Sequence, residues 1–160
     1  MTAPLLFLDV DGPLNPYAAA RDALHRAGYR SLGLSGVLLH PGHGRALLDL
    51  PYTLVWATTW EHAANDVLSP LLGLPRLPVV EWPESAPAYG ALSFKTPTLV
   101  DRARGRPFAW VDDDIDDADR AFVADHHDAP ALLHRVDPAV GLTPGDFAAL
   151  AAWAPASLQQ

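Results

Sequence analysis

The chain has no cysteine and only one lysine, and these two facts restrict the kinds of chemistry that its side chains can supply. Without cysteine there is no disulfide framework and no thiol nucleophile, which fits a reducing compartment. The single lysine, Lys95, stands among ten arginines, so this chain uses arginine wherever any cation will serve. We therefore predict that Lys95 occupies a site where a compact ammonium fits and a planar guanidinium does not.

Long apolar runs are also missing. No stretch approaches the ~18 residues of a membrane span, and no basic region followed by an apolar run indicates a secretion signal. We therefore expect a soluble cytoplasmic protein without membrane contact, and nothing in the sequence indicates an obligate protein partner. The net charge of −8 disfavours broad electrostatic binding to nucleic acid or anionic lipid. A local contact by the arginines at 102, 104 and 106 remains open, beside the alternative of a solvated helix end.

Length and periodicity predict the fold class. At 160 residues and 49% hydrophobic, the chain is long enough for one domain, 1–160, and short for two. Apolar runs alternate with helical patterns, which predicts an α/β domain with a parallel sheet and helices on both faces. Strands are expected at 5–10, 52–57, 77–82, 108–111 and 131–136. Helices are expected at 18–27, 43–50, 61–72, 96–104, 116–125 and 144–153, the last one capped by Thr143, and a proline-rich loop at 83–90.

The stretch LLFLDVDGPLN at residues 5 to 15 carries the strongest chemical signal. Side chains alternate along a strand, so Asp9 and Asp11 point the same way, while Gly12 lets the backbone turn sharply beside them. Two converging carboxylates repel each other unless a cation lies between them, and hard oxygen ligands suit Mg²⁺. One carboxylate can then attack phosphorus while its neighbour moves protons. An ordinary acidic turn is the alternative interpretation.

Polar residues also follow two other predicted strands. Thr58 and Thr59 follow strand 52–57, and their hydroxyls can hold a phosphoryl oxygen, although threonine is common at strand ends. Asp112, Asp113 and Asp114 follow strand 108–111 and can complete a magnesium shell. Ligands of parallel α/β sheets bind beyond the carboxyl ends of the strands. The sequence therefore predicts that these residues meet Asp9 at one edge of the sheet.

In this order, these residues resemble the motifs of the haloacid dehalogenase (HAD) superfamily of phosphohydrolases. DVDGPLN resembles the first motif, the region of Thr58 the second, Lys95 the third and WVDDD the fourth. The resemblance spans nearly the whole chain and implies a Rossmann-like fold of about five strands. It also implies magnesium-dependent hydrolysis of a phosphomonoester through an aspartyl-phosphate.

The resemblance further assigns roles to the matching positions. It implies that Asp9 is the nucleophile, Asp11 the general acid and base, and Lys95 the group that steadies nucleophile and phosphate. Thr58, with Thr59 beside it, would bind the phosphate. Mg²⁺ would be held by the first-motif aspartates, Asp11 through its backbone carbonyl, together with Asp113 or Asp112, since the run of acids leaves the register open by one residue.

A narrower resemblance concerns the substrate. WATTWEHAAN followed by LGLPRLPVVEWP is similar to small actinobacterial HAD domains grouped with the Swiss army knife RNA-repair proteins. Large caps of HAD enzymes are inserted after the first strand or between the second and third motifs, and neither interval here can house a second folded domain. The resemblance thus implies a capless, open site. It would take a phosphorylated small molecule or, as the alternative, a phosphate-ended nucleic acid.

Other classes fit the residue order less well. In a response-regulator receiver domain the lysine comes last, whereas here an acidic cluster follows Lys95. A calcium loop starting at Asp112 would need glycine at its sixth position and glutamate at its twelfth, where Asp117 and Val123 stand. The pair His40 and His43 lacks the accompanying cysteines or acids of a zinc site. A catalytically silent HAD-like binding module is the remaining alternative, and it predicts no turnover of any phosphomonoester.

Overall fold

The computed structural model describes residues 2–84 and 91–158, which fold around a four-stranded parallel sheet. The strands are β1 (Leu5–Leu8), β2 (Thr53–Trp56), β3 (Phe108–Asp112) and β4 (Ala131–Arg135), in the spatial order β2-β1-β3-β4. The helices are α1 (Arg21–Arg26), α2 (His43–Leu48), α3 (Ser69–Leu72), α4 (Lys95–Ala103), α5 (Asp117–His126) and α6 (Pro144–Leu158). The predicted α/β class with a parallel sheet is therefore confirmed, and the arrangement is consistent with a Rossmann-like fold.

Helices cover both faces of the sheet because successive strand residues point to opposite sides. In β1, Leu6 and Leu8 enter the core that also contains side chains of α2, α3 and α6. Leu5 and Phe7 enter the other core, shared with α4 and α5. A strand that is buried on both sides needs a continuous apolar run, and all four residues of β1 are buried. This burial fixes the end of β1, and with it the position of the residue that follows.

The predicted fifth strand at 77–82 is wrong as a strand. Only Val79 pairs with β2, as a single parallel bridge to Trp56. The backbone N–H of Trp56 donates to the carbonyl of Pro78, and Val80 donates back to Trp56, each at 2.9 Å. Prolines at 75, 78 and 83 lack the N–H groups that a longer ladder would need. The sheet therefore has four strands among the described residues, with a one-bridge extension beside β2.

The predicted helix at 61–72 is present over residues 62–72, but it is not uniform. A π-helical turn spans Ala64–Leu68 and runs directly into α3. Pro70 has no N–H to donate four residues back, so a regular α-helical ladder is interrupted at this point. The side chain of Asn65 is buried and bonds both the N–H and the carbonyl of Leu77, each at 2.8 Å. The turn is thus held against the segment that extends the sheet.

The interval between β1 and β2 contains α1, a single antiparallel bridge between Arg30 and Leu39, and α2. It has a small core of its own, made of Leu24, Tyr29 and Leu38. Residues 85–90 of the predicted proline-rich loop lie outside the described residues. Within 2–84 and 91–158, no helix combines the length and the apolar character that crossing a membrane requires.

Candidate active site

The carboxyl ends of the two central strands lie side by side and bring acidic residues together. In the register, Leu8 of β1 is opposite Val111 of β3, and the N–H of Asp9 donates to the Val111 carbonyl at 3.0 Å. Asp9 therefore follows β1 directly, next to Asp112, the last residue of β3. Both carboxylates are buried. Adjacent parallel strands thus place the two acids at the edge of the sheet where the sequence predicted them.

A tight turn after Asp9 lets a third acid approach. Gly12 has φ of 106°, a conformation that side-chain-bearing residues rarely adopt. Its N–H donates to the carbonyl of Asn15 at 2.8 Å, which closes the turn. A Cβ atom added at Gly12 would lie 2.7 Å from Cγ of Asp113. Glycine is required here both for the backbone conformation and for the close approach of Asp113.

Lys95 lies at the start of α4, buried between the acids. Its ammonium Nζ is 2.7 Å from Oδ2 of Asp112, 3.3 Å from Oδ2 of Asp9 and 3.0 Å from the carbonyl of Ala57. Three acceptors thus match the three N–H bonds of an ammonium. The ring of Trp82 lies 5.8 Å from Nζ, within the range of a cation–π contact. The one lysine of the sequence is placed where a wider guanidinium would collide with its acceptors.

The electrostatics of this cluster are dominated by burial. Burial raises the pKa of Asp9 to about 7, although Lys95 opposes the rise and Asp112 adds to it. Burial lowers the pKa of Lys95, but the charges of Asp9 and Asp112 outweigh it, so the pKa lies above its ordinary value. Burial also raises the pKa of Asp113 and of Asp114. One ammonium therefore does not balance the negative charge that the acids would carry when ionised.

Three of these acids are arranged so that they can hold a cation. Asp9, Asp112 and Asp113 each offer a carboxylate oxygen, and these oxygens lie within 4.8 Å of one another. Asp112 already accepts from Lys95, from the indole Nε1 of Trp110 at 3.2 Å and from the N–H of Asp114 at 3.0 Å. Asp112 thus has three donors, whereas Asp9 accepts from the N–H of Val10 at 2.8 Å beside its contact with Lys95, and Asp113 accepts from Tyr17. Asp9 and Asp113 therefore keep more acceptor capacity for a metal than Asp112 does. Hard carboxylate oxygens suit Mg²⁺.

Asp11 is held slightly apart from this cluster. Its Oδ1 accepts from the side-chain amide of Asn15 at 2.9 Å, and its Oδ2 accepts from Nε1 of Trp60 at 3.1 Å. Both oxygens are thus placed as acceptors, and Asp11 still lines the same cavity as Asp9. Each of these oxygens has a second lone pair, so either can carry a proton while it keeps its hydrogen bond.

The two threonines after β2 have different positions. Thr59 is exposed and lines the cavity. Thr58 is fully buried, and its hydroxyl accepts from the N–H of Trp60 at 3.2 Å, while its carbonyl accepts from Nε1 of Trp82 at 2.9 Å. The structure therefore places Thr59 at the surface of the cavity. Thr58 instead holds the loop after β2 in place through its hydrogen bonds with Trp60 and Trp82. The phosphate-binding role of either threonine stays a prediction.

The cavity has a volume of about 440 Å³ and is lined by Asp9, Asp11, Tyr17, Thr59, Lys95, Asp112, Asp113, Asp114, Arg135 and Pro138. Sequence reasoning missed Tyr17, Arg135 and Pro138. The hydroxyl of Tyr17 donates to Oδ2 of Asp113 at 2.5 Å, and this bond raises the pKa of Tyr17 to about 12. Arg135 donates from Nε to the backbone carbonyl of Asp113 at 3.1 Å. Of these three residues, only Arg135 had a signal in the sequence that could have pointed to the site. It lies at the end of β4, the strand next to β3.

The arginine group at 102, 104 and 106 lies away from the cavity. Arg104 ends α4, the helix that begins at Lys95. Arg102 and Arg106 line a small cavity with Leu5 and Thr53, the first residues of β1 and β2. These arginines are therefore at the amino end of the sheet, and the acidic site is at the carboxyl end. Arg135, by contrast, lines the acidic cavity.

Comparison of the chain with protein-family models, with curated proteins and with solved structures finds no match in any of the three. The resemblance to HAD phosphohydrolases therefore stays a prediction from the sequence motifs.

Proposed function

We propose that this chain is a magnesium-dependent phosphomonoester hydrolase of the HAD type that works through an aspartyl-phosphate on Asp9. One observation carries the proposal. The single lysine is buried between Asp9 and Asp112, beside an acidic cavity at the carboxyl end of a parallel sheet. Burying an ammonium and two carboxylates costs stability unless their geometry is well matched. A catalytic role explains the presence of this buried charged cluster at a cavity wall more simply than a contribution to folding stability does.

In the first step, a carboxylate oxygen of Asp9 attacks phosphorus and the bond from phosphorus to the ester oxygen breaks. Asp11 gives its proton to the leaving alkoxide, so an alcohol departs and Asp9 carries the phosphoryl group. In the second step, Asp11 takes a proton from water as the water oxygen attacks phosphorus. The bond from phosphorus to Asp9 breaks, inorganic phosphate leaves, and both aspartates return to their starting state.

The remaining residues orient the reacting groups and stabilise the negative charge that is present during these steps. Lys95 fixes the orientation of Asp9, and its positive charge stabilises negative charge beside the reacting carboxylate. Asp112 orients Lys95 in turn, since it also accepts from Trp110. Mg²⁺, held by Asp9 and Asp113 with Asp11 contributing its carbonyl, would neutralise phosphoryl oxygens and offset the excess negative charge of the cluster.

The test is hydrolysis of p-nitrophenyl phosphate by the purified protein with Mg²⁺ and with EDTA. We expect turnover that EDTA abolishes and that added Mg²⁺ restores. Asp9→Asn should lower kcat by several orders of magnitude with the thermal unfolding temperature retained. Asp66→Asn is the matched control, because Asp66 lies on the surface, where it pairs with Arg76. Equal loss in both variants, or full activity in Asp9→Asn, would remove Asp9 from the mechanism.

A phosphate-ended nucleic acid is the second candidate substrate. The ring of Tyr17 is 60% exposed at the cavity rim, where it can stack on a base, and Arg135 lies beside it. The net charge of −8 and the remote arginines at 102, 104 and 106 disfavour tight binding of a polyanion. We therefore rank the small phosphomonoester first. A strong preference for a phosphate-ended oligonucleotide over the mononucleotide, lost as salt is raised, would reverse the ranking.

The silent binding module predicts a different result. It would bind Mg²⁺ or a phosphorylated ligand at the same acids and hydrolyse none of a panel of phosphomonoesters. Magnesium binding by calorimetry together with inactivity toward the whole panel would favour it over the enzyme.

A further inference from the structure

Asp11 is held by one hydrogen-bond donor at each of its carboxylate oxygens. The side-chain amide of Asn15 donates to Oδ1 at 2.9 Å, and the indole Nε1 of Trp60 donates to Oδ2 at 3.1 Å. Rotation about the Cβ–Cγ bond of Asp11 would break both hydrogen bonds at once. The two donors therefore fix the plane of the carboxyl group, while the second lone pair of each oxygen stays available.

The first donor, Asn15, belongs to the turn that follows Asp11. Its N–H donates to the carbonyl of Val10 at 2.9 Å, and its own carbonyl accepts from the N–H of Gly12 at 2.8 Å. Because both backbone groups of Asn15 are bonded within the turn, its side-chain amide has a fixed origin. The same turn brings Asp113 close to Gly12, so one piece of backbone places two of the acids of the cavity.

The second donor, Trp60, comes from the loop after β2, 49 positions along the chain from Asp11. The N–H of Glu61 donates to the carbonyl of Thr58 at 3.1 Å, and the N–H of Trp60 donates to the Thr58 hydroxyl at 3.2 Å. The half-buried ring of Trp60 packs against the core that contains side chains of α2, α3 and α6. The turn and the core together hold the indole N–H against Asp11.

The backbone at the end of this turn has an unusual conformation. Glu61 has φ of 47°, and among the described residues only Arg104 also combines a side chain with a positive φ. Arg104 ends α4, a position where the left-handed conformation is common. Glu61 instead lies directly after Trp60, before the helical segment that begins at residue 62. Strained backbone persists where the surrounding structure enforces it, and it is concentrated at functional sites.

The chemistry of the two donors suits a group that must transfer a proton. An indole N–H and an amide NH₂ donate hydrogen bonds through nitrogen and accept none there. They can therefore orient the carboxyl group of Asp11 without taking its proton. Neither Trp60 nor Asn15 is among the described residues that line the acidic cavity, whereas Asp11 is. Any effect of these donors on a substrate must pass through Asp11.

From these observations we propose that Trp60 and Asn15 are positioning residues that direct the proton of Asp11 to the ester oxygen of the substrate. This role rests on the proposed function, in which an oxygen of Asp9 bonds to phosphorus while the bond from phosphorus to the ester oxygen breaks. The departing oxygen keeps the electron pair of that bond and takes the proton of Asp11. An alkoxide needs this proton, whereas p-nitrophenolate leaves readily without it.

The first experiment compares benzyl phosphate, which releases an alkoxide, with p-nitrophenyl phosphate. The ratio kcat/KM reports the steps through formation of the aspartyl-phosphate, in which Asp11 gives its proton. Trp60→Phe keeps an aromatic ring and removes the N–H. We expect it to lower kcat/KM by about tenfold or more for benzyl phosphate and by about threefold at most for p-nitrophenyl phosphate. Equal losses for the two substrates, or no loss for either, would overturn the proposal.

The matched control is Trp153→Phe, because Trp153 stacks on Tyr52 and does not line the acidic cavity. It should leave both values of kcat/KM unchanged. Asn15→Leu removes the other donor with a side chain of similar shape, and it should show the same selective loss as Trp60→Phe. If Trp60→Phe does not fold, Asn15→Leu with the same two substrates decides in its place.

A double variant tests whether Trp60 acts through Asp11. Asp11→Asn alone should lower kcat/KM for benzyl phosphate more than Trp60→Phe does, since it removes the proton donor itself. Adding Trp60→Phe to Asp11→Asn should then cause little further loss, because residues that act as one unit are not additive. A full additional loss in the double variant would show that Trp60 acts independently of Asp11 and would overturn the proposal.

A readout without turnover tests the contact directly. The indole N–H resonance of Trp60 is assigned by its disappearance in Trp60→Phe. We expect it to shift in Asp11→Ala, which removes the acceptor, while the indole resonance of Trp153 stays in place. A Trp60 resonance that does not respond would overturn the positioning role even in an active enzyme. A responding resonance in a protein that hydrolyses neither substrate would overturn the proposed function, and the catalytic use of the contact with it.

Discussion

Two cavities of this protein differ in how their buried polar groups are satisfied: the acidic cavity, and a mostly apolar cavity of about 490 Å³ between α2, the start of α6 and the turn that follows α1. In the acidic cavity the ammonium of Lys95 has three acceptors, and Asp112 accepts from three donors. In the apolar cavity, Tyr29 and His43 each keep a polar atom without a partner among the described residues. We expect the network of the acidic cavity to depend on every member, because the loss of one partner leaves another buried charge unpaired. The residues Tyr29 and His43 of the apolar cavity instead pack through their rings.

Among the tests of this difference between the two cavities, the largest effect is expected from a substitution of Lys95. Lys95→Arg keeps the charge, but the guanidinium does not fit among Asp9, Asp112 and the Ala57 carbonyl. Because displacement of a catalytic group by about 1 Å can cost 10²-fold, we expect kcat to fall by at least about that factor. Steady-state hydrolysis of an aryl phosphate measures this. Arg120→Lys serves as the control, since Arg120 lies outside both cavities and bonds a backbone carbonyl.

An arginine variant with full activity would mean that Lys95 is only a counter-ion of two buried acids. In that case the match between the ammonium and its three acceptors would have no role in the reaction.

Acid sensitivity should come in part from the apolar cavity. His43 has its pKa lowered from 6.5 to about 4, mainly by burial and further by His40, while the Leu142 carbonyl opposes the shift. The unfolded chain therefore binds a proton that the folded chain excludes, so stability is complete above pH 6.5 and falls as the pH drops toward 4. The loss expected from this residue is on the order of 3 kcal/mol.

The measurement is the free energy of unfolding in urea at several pH values. His43→Phe keeps a flat ring that cannot titrate, so its stability should fall less between pH 6.5 and 4 than that of the wild-type protein. His25→Gln changes an exposed histidine on α1 and should reproduce the wild-type dependence. Identical curves for all three proteins would show that His43 does not titrate in this range.

The turn at Gly12 allows a smaller test of the acidic cavity. Gly12→Ala places a methyl group against Asp113 and strains a backbone at φ of 106°. Gly105→Ala strains a backbone at φ of 76° in open space, so it shares the strain without the contact. We expect both variants to lose stability by about 1–3 kcal/mol. Only Gly12→Ala should also lose activity, by about tenfold or more, because Asp113 is displaced.

Activity that falls to the same degree in the two glycine variants would attribute the effect to stability alone. The unfolding curves of both proteins, measured beside their kcat values, separate the two cases.

The smallest expected effect concerns the metal register. Asp113 offers an oxygen within 4.8 Å of oxygens from Asp9 and Asp112, whereas Asp114 is not part of that group. We expect Asp113→Asn to raise the Mg²⁺ concentration needed for half-maximal activity by about tenfold, and Asp114→Asn by much less. A magnesium titration of kcat for both variants measures this. The reverse order would move the metal ligand to the next residue along the chain.

Local sequence signals were sufficient where a residue lies at a regular position. Asp9 and Asp112 could be placed together because the ends of parallel strands share one edge of the sheet. The cap of α6 also follows from local chemistry and is confirmed. Thr143 accepts from the N–H of Asp146 at 3.3 Å, and the Asp146 carboxylate accepts from the Thr143 N–H at 2.8 Å.

Local sequence patterns do not predict the structure where contacts between distant segments determine it. Strand 77–82 has a β-like composition, but its prolines limit it to one bridge. Tyr17 reaches Asp113 only because the turn at residues 12–15 brings it back over the sheet. The apolar cavity combines the turn after α1 with α2 and α6, and no local pattern in the sequence indicates their contact. The bond from Trp60 to Asp11 likewise joins segments that are far apart in the sequence.

The strand order β2-β1-β3-β4 also has a consequence for biosynthesis. Strand β1 precedes both of its neighbours along the chain, and its partner β3 begins only at Phe108, after Lys95. A ribosome must therefore synthesise the segment from β1 to β3 before β1 can pair on both sides. Until then the apolar strand Leu5–Leu8 keeps an open edge, the kind of surface that aggregates or recruits chaperones. The acidic cavity is thus completed late, by contacts of large sequence separation that slow folding.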